Sequence, residues 1–547
     1  MSNSKFRAID LYSGVGGWSL GLRLSGIEVV ASYEHWGAAN ETNFKNNSHQ
    51  AQTVDIRRLA LSDLPEDIDI VVGSPPCTQF SFSNRGGGGD IDDGLKDIAK
   101  FLSVVDYLKP RFWAMENVPR VAKILTSELL PGGRLARFAH LNCRTHVVDM
   151  AQYGVPQRRR RCIAGSFDFE LLESYRESRT PLTLGKVIES LSSDPVRDPL
   201  FGTSISKDAL TDHFEEAPLS EEEVRINRAN KTTHTVYNAM PFPDEVHRPV
   251  RTITATCTRV SRESVVIPGV RPESFRRLTL RERASLQGFP ITFQFYGSSY
   301  SQKLKMIGNA IPPAFSFLIG HAMQASSSTD VPQFSALAGS LSRPEPSPIE
   351  TQPERQGSRF PANRAFRFAV PSLRLKSGVR FELTNDFESG VCTWRTDFYF
   401  GTSKKIKRID LNDSLTKAMR AAMGQKTRAV DQIIRGCLAQ EFQTVDLVNM
   451  QNVWAHRGPG GTRPFMVLDL LDRIGRETCS ELAGSDVESE VLIDEALRFQ
   501  FGEAACDLPG VNKLRRNAPL IAAGLLVGSH ANSLMSAGKR GGRRALG

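Results

Sequence analysis

The sequence predicts an α/β protein, with a mostly parallel central sheet in the first 324 residues and a separate α+β domain behind it. Three observations carry that expectation. Short β-branched runs alternate with amphipathic stretches over residues 6–165, as in a parallel sheet with crossover helices. Residues 325–358 are rich in Ser, Pro, Glu and Gln ("SRPEPSPIETQPERQGS") and read as a linker. Beyond them the pattern begins again, first β-rich ("RFELTNDFESGVCTWRTDFYFGTS"), then helical ("DSLTKAMRAAMGQKTRAVDQIIRGCLAQEF").

The elements follow in order. "FRAIDLYSG" is a strand closed by a Gly turn, and "GWSLGLRLSG" a helix stopping at Gly26. "IEVVASYE" and "DIDIVVGSPP" are strands, and "GLKDIAKFLSVVDYLKP" is a helix ended by Pro110. "RFWAMENVP", "RTHVVDMAQYG" and "RRRCIAGSF" complete the strands. Residues 166–273 are less regular and more polar. From 274 regularity returns: "SFRRLTLRERASLQGFP" reads as a helix with a Gly-Phe-Pro stop, and "KLKMIGNAIPPAFSFLIGHAMQA" as an interrupted helical region. The resulting division is 1–165, 166–273 and 274–324 for the first domain, a linker at 325–358, a second domain at 359–536, and a basic tail at 537–547.

Composition narrows the class. A chain of 547 residues exceeds what one core usually holds. No signal-peptide pattern opens it, and the apolar run "APLIAAGLLVG" is too short to span a bilayer. A cytoplasmic protein with no membrane association is expected. Eight scattered cysteines without a CxxC pair argue against a zinc site or disulfide framework, so no metal is expected. Net charge is +9, and residues 359–547 hold 28 Lys and Arg against 20 Asp and Glu. That surplus suits either a polyanion partner or a solvated basic surface.

Ligands of open α/β sheets bind beyond the carboxyl ends of the strands. The most unusual segments lie there. "DLYSGVGG" places Gly14, Gly16 and Gly17 after the first strand. Glu34 ends the next strand, where an acid can hold a ribose diol, and Asp55 follows the third, placed to meet an adenine amino group. An adenosine-bearing cofactor without a pyrophosphate fits this set better than NAD does. "GSPPCTQFS" mounts Cys77 on a Pro-Pro step at a strand end. A lone cysteine is more often a small buried hydrophobe, but this mounting favours a nucleophile. "NRGGGGDIDDG" downstream reads as a lid over a substrate or an ordinary surface loop. Glu116 ends the strand "FWAM" in the layer of Cys77, where a carboxyl can act as an acid. "PQRRRR" reads either as a basic surface run or, in a strand, as a period of two that turns Arg159 and Arg161 inward and Arg158 and Arg160 outward.

Taken in order, "DLYSGVGG", "YEHW", "VDI", "GSPPCTQFS", "DDGLKDI", "MENV", "GVPQRRRR", "RRLTLRERASLQGFP" and "IGNAIPP" make residues 6–322 resemble the cytosine-C5 methyltransferases. The resemblance implies a Rossmann-like, S-adenosylmethionine-dependent domain. It implies Cys77 as the nucleophile at cytosine C6, Glu116 as the hydrogen-bond partner of N3, Arg161 as the holder of O2, and Arg159 as support for the site. For the cofactor it implies Asp10, Tyr12, Gly14, Gly16, Gly17, Glu34, Trp36, Asp55, Ile56, Pro76, Leu95 and Asn309. Cytosine C5 and C6 are stacked within a duplex, so the base would be flipped out. Two departures stand out: Thr78, with Gln79 one place later, follows the nucleophile where Gln is usual, and His35 separates the ribose acid from Trp36.

The resemblance implies target recognition within about 166–273, where Arg225, Arg228, Asn230 and Lys231 are candidate groove contacts or residues of a solvated helix. It ends near 324. "CTWRTDFYFGTSKKIKR" interleaves aromatics with basics, as nucleic-acid binders do, though a core strand and surface turn explain it better. Beyond 359 there is no Glu-x-Lys and only His456 and His530, so no nuclease site is evident and an accessory DNA- or protein-binding module is expected. The leading reading is a monomeric DNA cytosine-C5 methyltransferase of a prokaryote or phage, acting on double-stranded DNA in a restriction-modification or related defence system. A tRNA methyltransferase and a catalytically silent DNA-binding regulator are the alternatives.

Overall fold

The computed structural model describes residues 5–80, 89–233, 239–353, 359–375, 378–388, 391–402, 405–458, 460–503, 505 and 508–542. The chain divides into two units, Met1–Asn227 with Pro241–Arg355 and Arg228–Met240 with Gln356–Gly547.

The first unit is built on β1 (Arg7–Leu11), β2 (Glu28–Glu34), β3 (Gln50–Thr53), β4 (Ile70–Gly73), β5 (Phe112–Asn117), β6 (Arg144–Asp149), the short β7 (Gln157–Arg158) and β8 (Arg160–Ser166). Seven of them form one sheet in the order β3-β2-β1-β4-β5-β8-β6. The pairs from β3 to β5 are parallel, and β8 runs antiparallel to both β5 and β6. The mostly parallel sheet expected from the sequence is present. Its helices are α1 (Gly17–Leu24), α2 (Gly37–Asn47), α3 (Ile91–Leu108) and α4 (Arg120–Glu128).

Both faces are covered, which is why the strands read as continuous apolar runs. Ile9 and Leu11 join one core with Val71, Phe101 and Trp113, while Ala8 joins the other with Trp18, Leu22 and Ile70. Strand order reverses at β1, so loops leaving β1 and β4 diverge and open a crevice.

Beyond β8 come α5 (Phe169–Ser174), α6 (Leu184–Ser192), the pair β9 (Val196–Arg197) and β10 (Ser204–Ile205), and α7 (Glu221–Thr232). Then follow β11 (Val250–Arg251), which pairs with β7, and the antiparallel β12 (Val266–Pro268) and β13 (Phe275–Arg277). The chain returns to the crevice through α8 (Leu280–Leu286), α9 (Tyr300–Asn309) and α10 (Pro313–Met323). The approach is close: a Cβ on Gly17 would lie 2.2 Å from the carbonyl oxygen of Ile311.

Several expectations are corrected. The segment from 274 is not one helix; β13 comes first, and the helix starts where Thr279 and Glu282 form a reciprocal capping box. The expected linker is partly core. A 3₁₀ turn at Phe334–Ser340 buries Phe334 and Leu337, and the Arg179 guanidinium lies 4.7 Å from the Phe334 ring. With Val331 also buried, a few apolar side chains dock a segment whose average composition is polar. Lys231, a candidate groove contact, is fully buried and so is no surface contact.

The long segment of the second unit, Gln356–Gly547, opens with an antiparallel sheet in sequence order: β14 (Arg367–Arg374), β15 (Arg380–Glu388), β16 (Val391–Thr402) and β17 (Lys405–Asp410). Helices follow: α11 (Asp413–Ala422), α12 (Gln425–Glu441), α13 (Met450–Trp454), α14 (Pro464–Glu481), α15 (Asp486–Phe501), α16 (Val511–Arg515) and α17 (Ala518–Gly542). Trp394, Phe398 and Phe400 alternate into the core, so the aromatics of that stretch are structural. Asn532 bonds both backbone groups of Thr396, fixing α17 to β16. The run that looked too short to span a bilayer belongs to a longer helix. Residues Ala518–Ser536 are long and apolar enough by length and composition, and 72% of that window is buried within the protein, as in a core helix. The expected basic tail is helical through Gly542, and residues 543–547 lie outside the described residues.

Candidate active site

The site is assembled from the carboxyl ends of β1, β2, β4 and β5. After β1, Tyr12 turns back at φ 53°, and its hydroxyl donates to the carbonyl and carboxylate of Asp97 on α3. Glu34, the last residue of β2, accepts the Gly14 N–H on Oε2 at 3.1 Å and the Trp36 N–H on Oε1 at 3.0 Å. The His35 Nδ1 also approaches Oε1, at 2.7 Å.

The Pro-Pro step after β4 is held from both sides. Trp18 Nε1 donates to Ser74 Oγ at 3.1 Å, and Asn117 Nδ2 donates to the Pro75 carbonyl at 3.0 Å. Cys77 is thereby fixed at the mouth of the sheet. Burial pushes its thiol above the ordinary cysteine range; Glu116 adds to this, while Arg161 and Arg159 oppose it.

Cys77, Glu116, Arg159 and Arg161 all line one cavity of about 240 Å³, together with Tyr12, Gly14, Glu34, Trp36, Pro76 and Asn309. Arg161 Nε lies 2.9 Å from Glu116 Oε1. That oxygen is buried yet receives no hydrogen bond, because the guanidinium N–H is not aimed at it. Arg159 is almost completely buried and donates to the carbonyls of Ile253, Gly308 and Ala310 at 3.4, 3.1 and 3.1 Å. It ties β7–β8 to the returning chain. Arg158 and Arg160 point to solvent, so the alternation read from the sequence holds.

Asp55 and Ile56 line a second cavity of about 460 Å³ with Arg57, Gln79, Asp93 and Asp97. Tyr12, His35, Pro76 and Thr78 belong to both cavities.

Four residues expected at the cofactor line neither cavity. Leu95 is buried in the α3 core. Asp10, Gly16 and Gly17 lie beneath the Gly turn and support it. Gly16 has φ 86°, and a Cβ there would lie 2.0 Å from Asn43 Oδ1. Asn43 and Asn47 bond to each other below it. Asp10 is buried and accepts the Ser19 hydroxyl on Oδ2 at 2.7 Å, but its Oδ1 has no partner. Burial pushes its carboxyl up to about 7.

A raised folded-state pKa means that the folded chain holds a proton the unfolded chain has lost. Stability then falls as pH rises from about 4 to about 7. Asp10→Asn, which mimics the protonated acid, is expected to flatten that slope and to exceed the wild type at pH 8 by up to about 4 kcal/mol. Urea midpoints at pH 5 and pH 8 measure it, and equal slopes in the two proteins refute it.

Among the lining residues that sequence reasoning missed are Trp18, Ser74, Val118 and Lys305. Lys305 was within reach: on α9 it sits four residues before Asn309, hence on the same helical face. Part of the expected lid, residues 84–88, lies outside the described residues.

A family model described as C-5 cytosine-specific DNA methylase matches residues 6–325. The chain belongs to that family. It is an enzyme of the DNA (cytosine-5-)-methyltransferase class, and the family's span ends before the segment Gln356–Gly547. Type II methyltransferase M.HgiDI of Herpetosiphon aurantiacus is 29% identical over 331 residues, covering 58% of this chain and 94% of the relative. Type II methyltransferase M.HindV of Haemophilus influenzae is 29% identical over 314 residues, covering 56% and 92%. Among solved structures, a putative DNA modification methyltransferase from an E. coli prophage is 20% identical, covers 59% of this chain and 99% of its own, and has a TM-score of 0.44. The S. pombe Dnmt2 methyltransferase is 17% identical with the same coverages and a TM-score of 0.40.

Proposed function

We propose that this methyltransferase moves a methyl group from S-adenosylmethionine to C5 of a cytosine flipped out of duplex DNA, through a covalent Cys77–C6 adduct. The observation that carries the reading is the convergence of Cys77, Glu116 and Arg161 on the cavity that also holds the ribose acid Glu34.

The residues fit the methyl donor. Glu34, fixed by two backbone N–H groups, retains lone pairs for a ribose diol, and Asp55 and Ile56 offer an adenine edge in the adjoining cavity. S-adenosylmethionine supplies an electrophilic methyl on a sulfonium. The chain supplies the rest. The Cys77 thiolate adds to C6 and turns C5 into an enamine carbon that takes the methyl, as the S–CH3 bond breaks and S-adenosylhomocysteine leaves as the neutral thioether. Glu116 Oε1, buried without a hydrogen bond, is available to the N3 edge of the base. Arg161 sits beside it for O2. Loss of the C5 proton then expels Cys77 and restores the aromatic ring.

Glu116 couples two of these tasks. Its negative charge disfavours the thiolate. A proton on Glu116 relieves that repulsion and is also the acid that N3 needs.

The Type II relatives support a role in a restriction-modification or related defence system, acting on cytoplasmic DNA of a prokaryote or phage. The second unit is read as an accessory DNA- or protein-binding module. Incubation with tritiated S-adenosylmethionine is expected to label plasmid DNA and not tRNA. Label in tRNA alone, or in neither, refutes the proposal, and bisulfite sequencing of the product reads out the target site.

A further inference from the structure

We infer that His35 is a specificity residue for the adenosine half of the methyl donor, held by Glu34 so that its ring offers a hydrogen-bond acceptor where the two cavities meet. The inference rests on the methyl-donor reading above. Its position is the first argument. His35 lines both cavities, whereas Trp36 lines only the one that contains Cys77. Trp36 is instead the N-cap residue of α2 and packs against the core. Of these two neighbouring rings, the one that borders the Asp55 and Ile56 compartment is therefore the imidazole, beside Tyr12. Its side chain is 75% exposed, so no packing demand accounts for it.

The chemistry of the contact is the second argument. Nδ1 of His35 lies 2.7 Å from Glu34 Oε1. A carboxylate oxygen only accepts, so Nδ1 carries the hydrogen of the neutral ring and Nε2 is left with a lone pair. Among the described residues no donor reaches Nε2. The surroundings match. In the same compartment Arg57 is engaged by Asp93 at 2.9 Å and Asp97 at 2.7 Å, and Asp55 adds a further carboxylate. A ligand edge rich in N–H or O–H donors suits such a wall. Adenosine supplies both, as the 6-amino group and the ribose hydroxyls.

A site built to bond a donor discriminates against an analogue that lacks it. Titration calorimetry at pH 8 on the full chain tests this with S-adenosylhomocysteine as the probe. His35→Phe keeps a flat ring and removes both nitrogens, and His35→Gln restores an acceptor. His35→Phe is expected to bind about tenfold more weakly than the wild type, with His35→Gln in between. S-inosylhomocysteine, whose 6-position carries a carbonyl, separates the two donors. If the amino group is the partner, the wild-type preference for adenosine shrinks in His35→Phe. If a ribose hydroxyl is the partner, both ligands weaken equally. Either result supports the assignment. Binding of S-adenosylhomocysteine by His35→Phe within twofold of the wild type overturns it. A wild-type chain that does not bind this probe overturns the methyl-donor reading itself, a separate outcome.

Discussion

Cys77→Ser is expected to reduce methyl transfer to duplex DNA by at least about a thousandfold while leaving the fold and cofactor affinity intact. The substitution is nearly isosteric, and the backbone that mounts it is held by Trp18 and Asn117 rather than by the thiol. A serine hydroxyl ionises far less readily than a thiol. The adduct is directly observable. Duplex DNA carrying 5-fluorocytosine accepts the attack at C6 and the methyl at C5, but fluorine cannot leave as the proton does, so the enzyme stays attached. A denaturant-stable complex is expected with the wild type and none with Cys77→Ser. Its appearance with the variant would assign the nucleophile elsewhere. Because burial and Glu116 raise the thiol, alkylation of the free enzyme by iodoacetamide should accelerate as pH rises. Glu116→Gln removes the charge that disfavours the thiolate. It should alkylate faster than the wild type at the same pH, yet turn over more slowly because N3 has lost its acid. Opposite movement of the two readouts separates electrostatic tuning of Cys77 from acid catalysis by Glu116.

Much of this geometry was legible in short stretches because local rules fix it. Apolar runs ended by Gly or Pro located β1, β4 and the Cys77 mount. A period of two placed Arg159 inside and Arg158 outside. What the sequence could not distinguish was a residue that lines the crevice from one that holds its floor. Gly16 and Gly17 carry the same motif signal as Gly14, yet the first is required by Asn43 and the second by Ile311, almost three hundred residues away. Leu95 obeys helical periodicity, but the register of α3 turns it into the core. The three carbonyls that receive Arg159 belong to residues 253, 308 and 310, a partnership no local pattern encodes. The polar linker was misjudged because composition averages over a segment, whereas docking depends on a few apolar side chains, Val331, Phe334 and Leu337.

The same long-range dependence makes Glu216→Ala the substitution with the largest expected effect on stability. Glu216 is buried and accepts from Arg277 Nε at 2.7 Å, Arg259 Nη1 at 3.0 Å and the Tyr300 hydroxyl at 2.8 Å. Arg277 has no solvent exposure and Arg259 has 3%. Two guanidinium groups thus share one carboxylate out of water, with Glu223 holding Arg259 from its other side at 2.7 Å. Arginine does not shed its proton to escape such a site, so loss of the shared carboxylate leaves positive charges facing each other in a low dielectric. Breaking a buried pair by removing one partner costs about 3–5 kcal/mol, whereas replacing the whole set by apolar groups can be neutral. Glu216→Ala should accordingly lower the urea midpoint by an amount equivalent to about 4 kcal/mol. Glu216→Gln, which keeps an acceptor for Tyr300, should cost less. The triple variant Glu216→Met with Arg259→Met and Arg277→Met should recover much of the loss. A Glu216→Ala midpoint within about 0.5 kcal/mol of the wild type would show that water reaches the cluster and solvates the arginines. Glu216 lies in the region expected to recognise the target, while Arg277 and Tyr300 lie in the returning catalytic chain, so this carboxylate is one of the points that join the two.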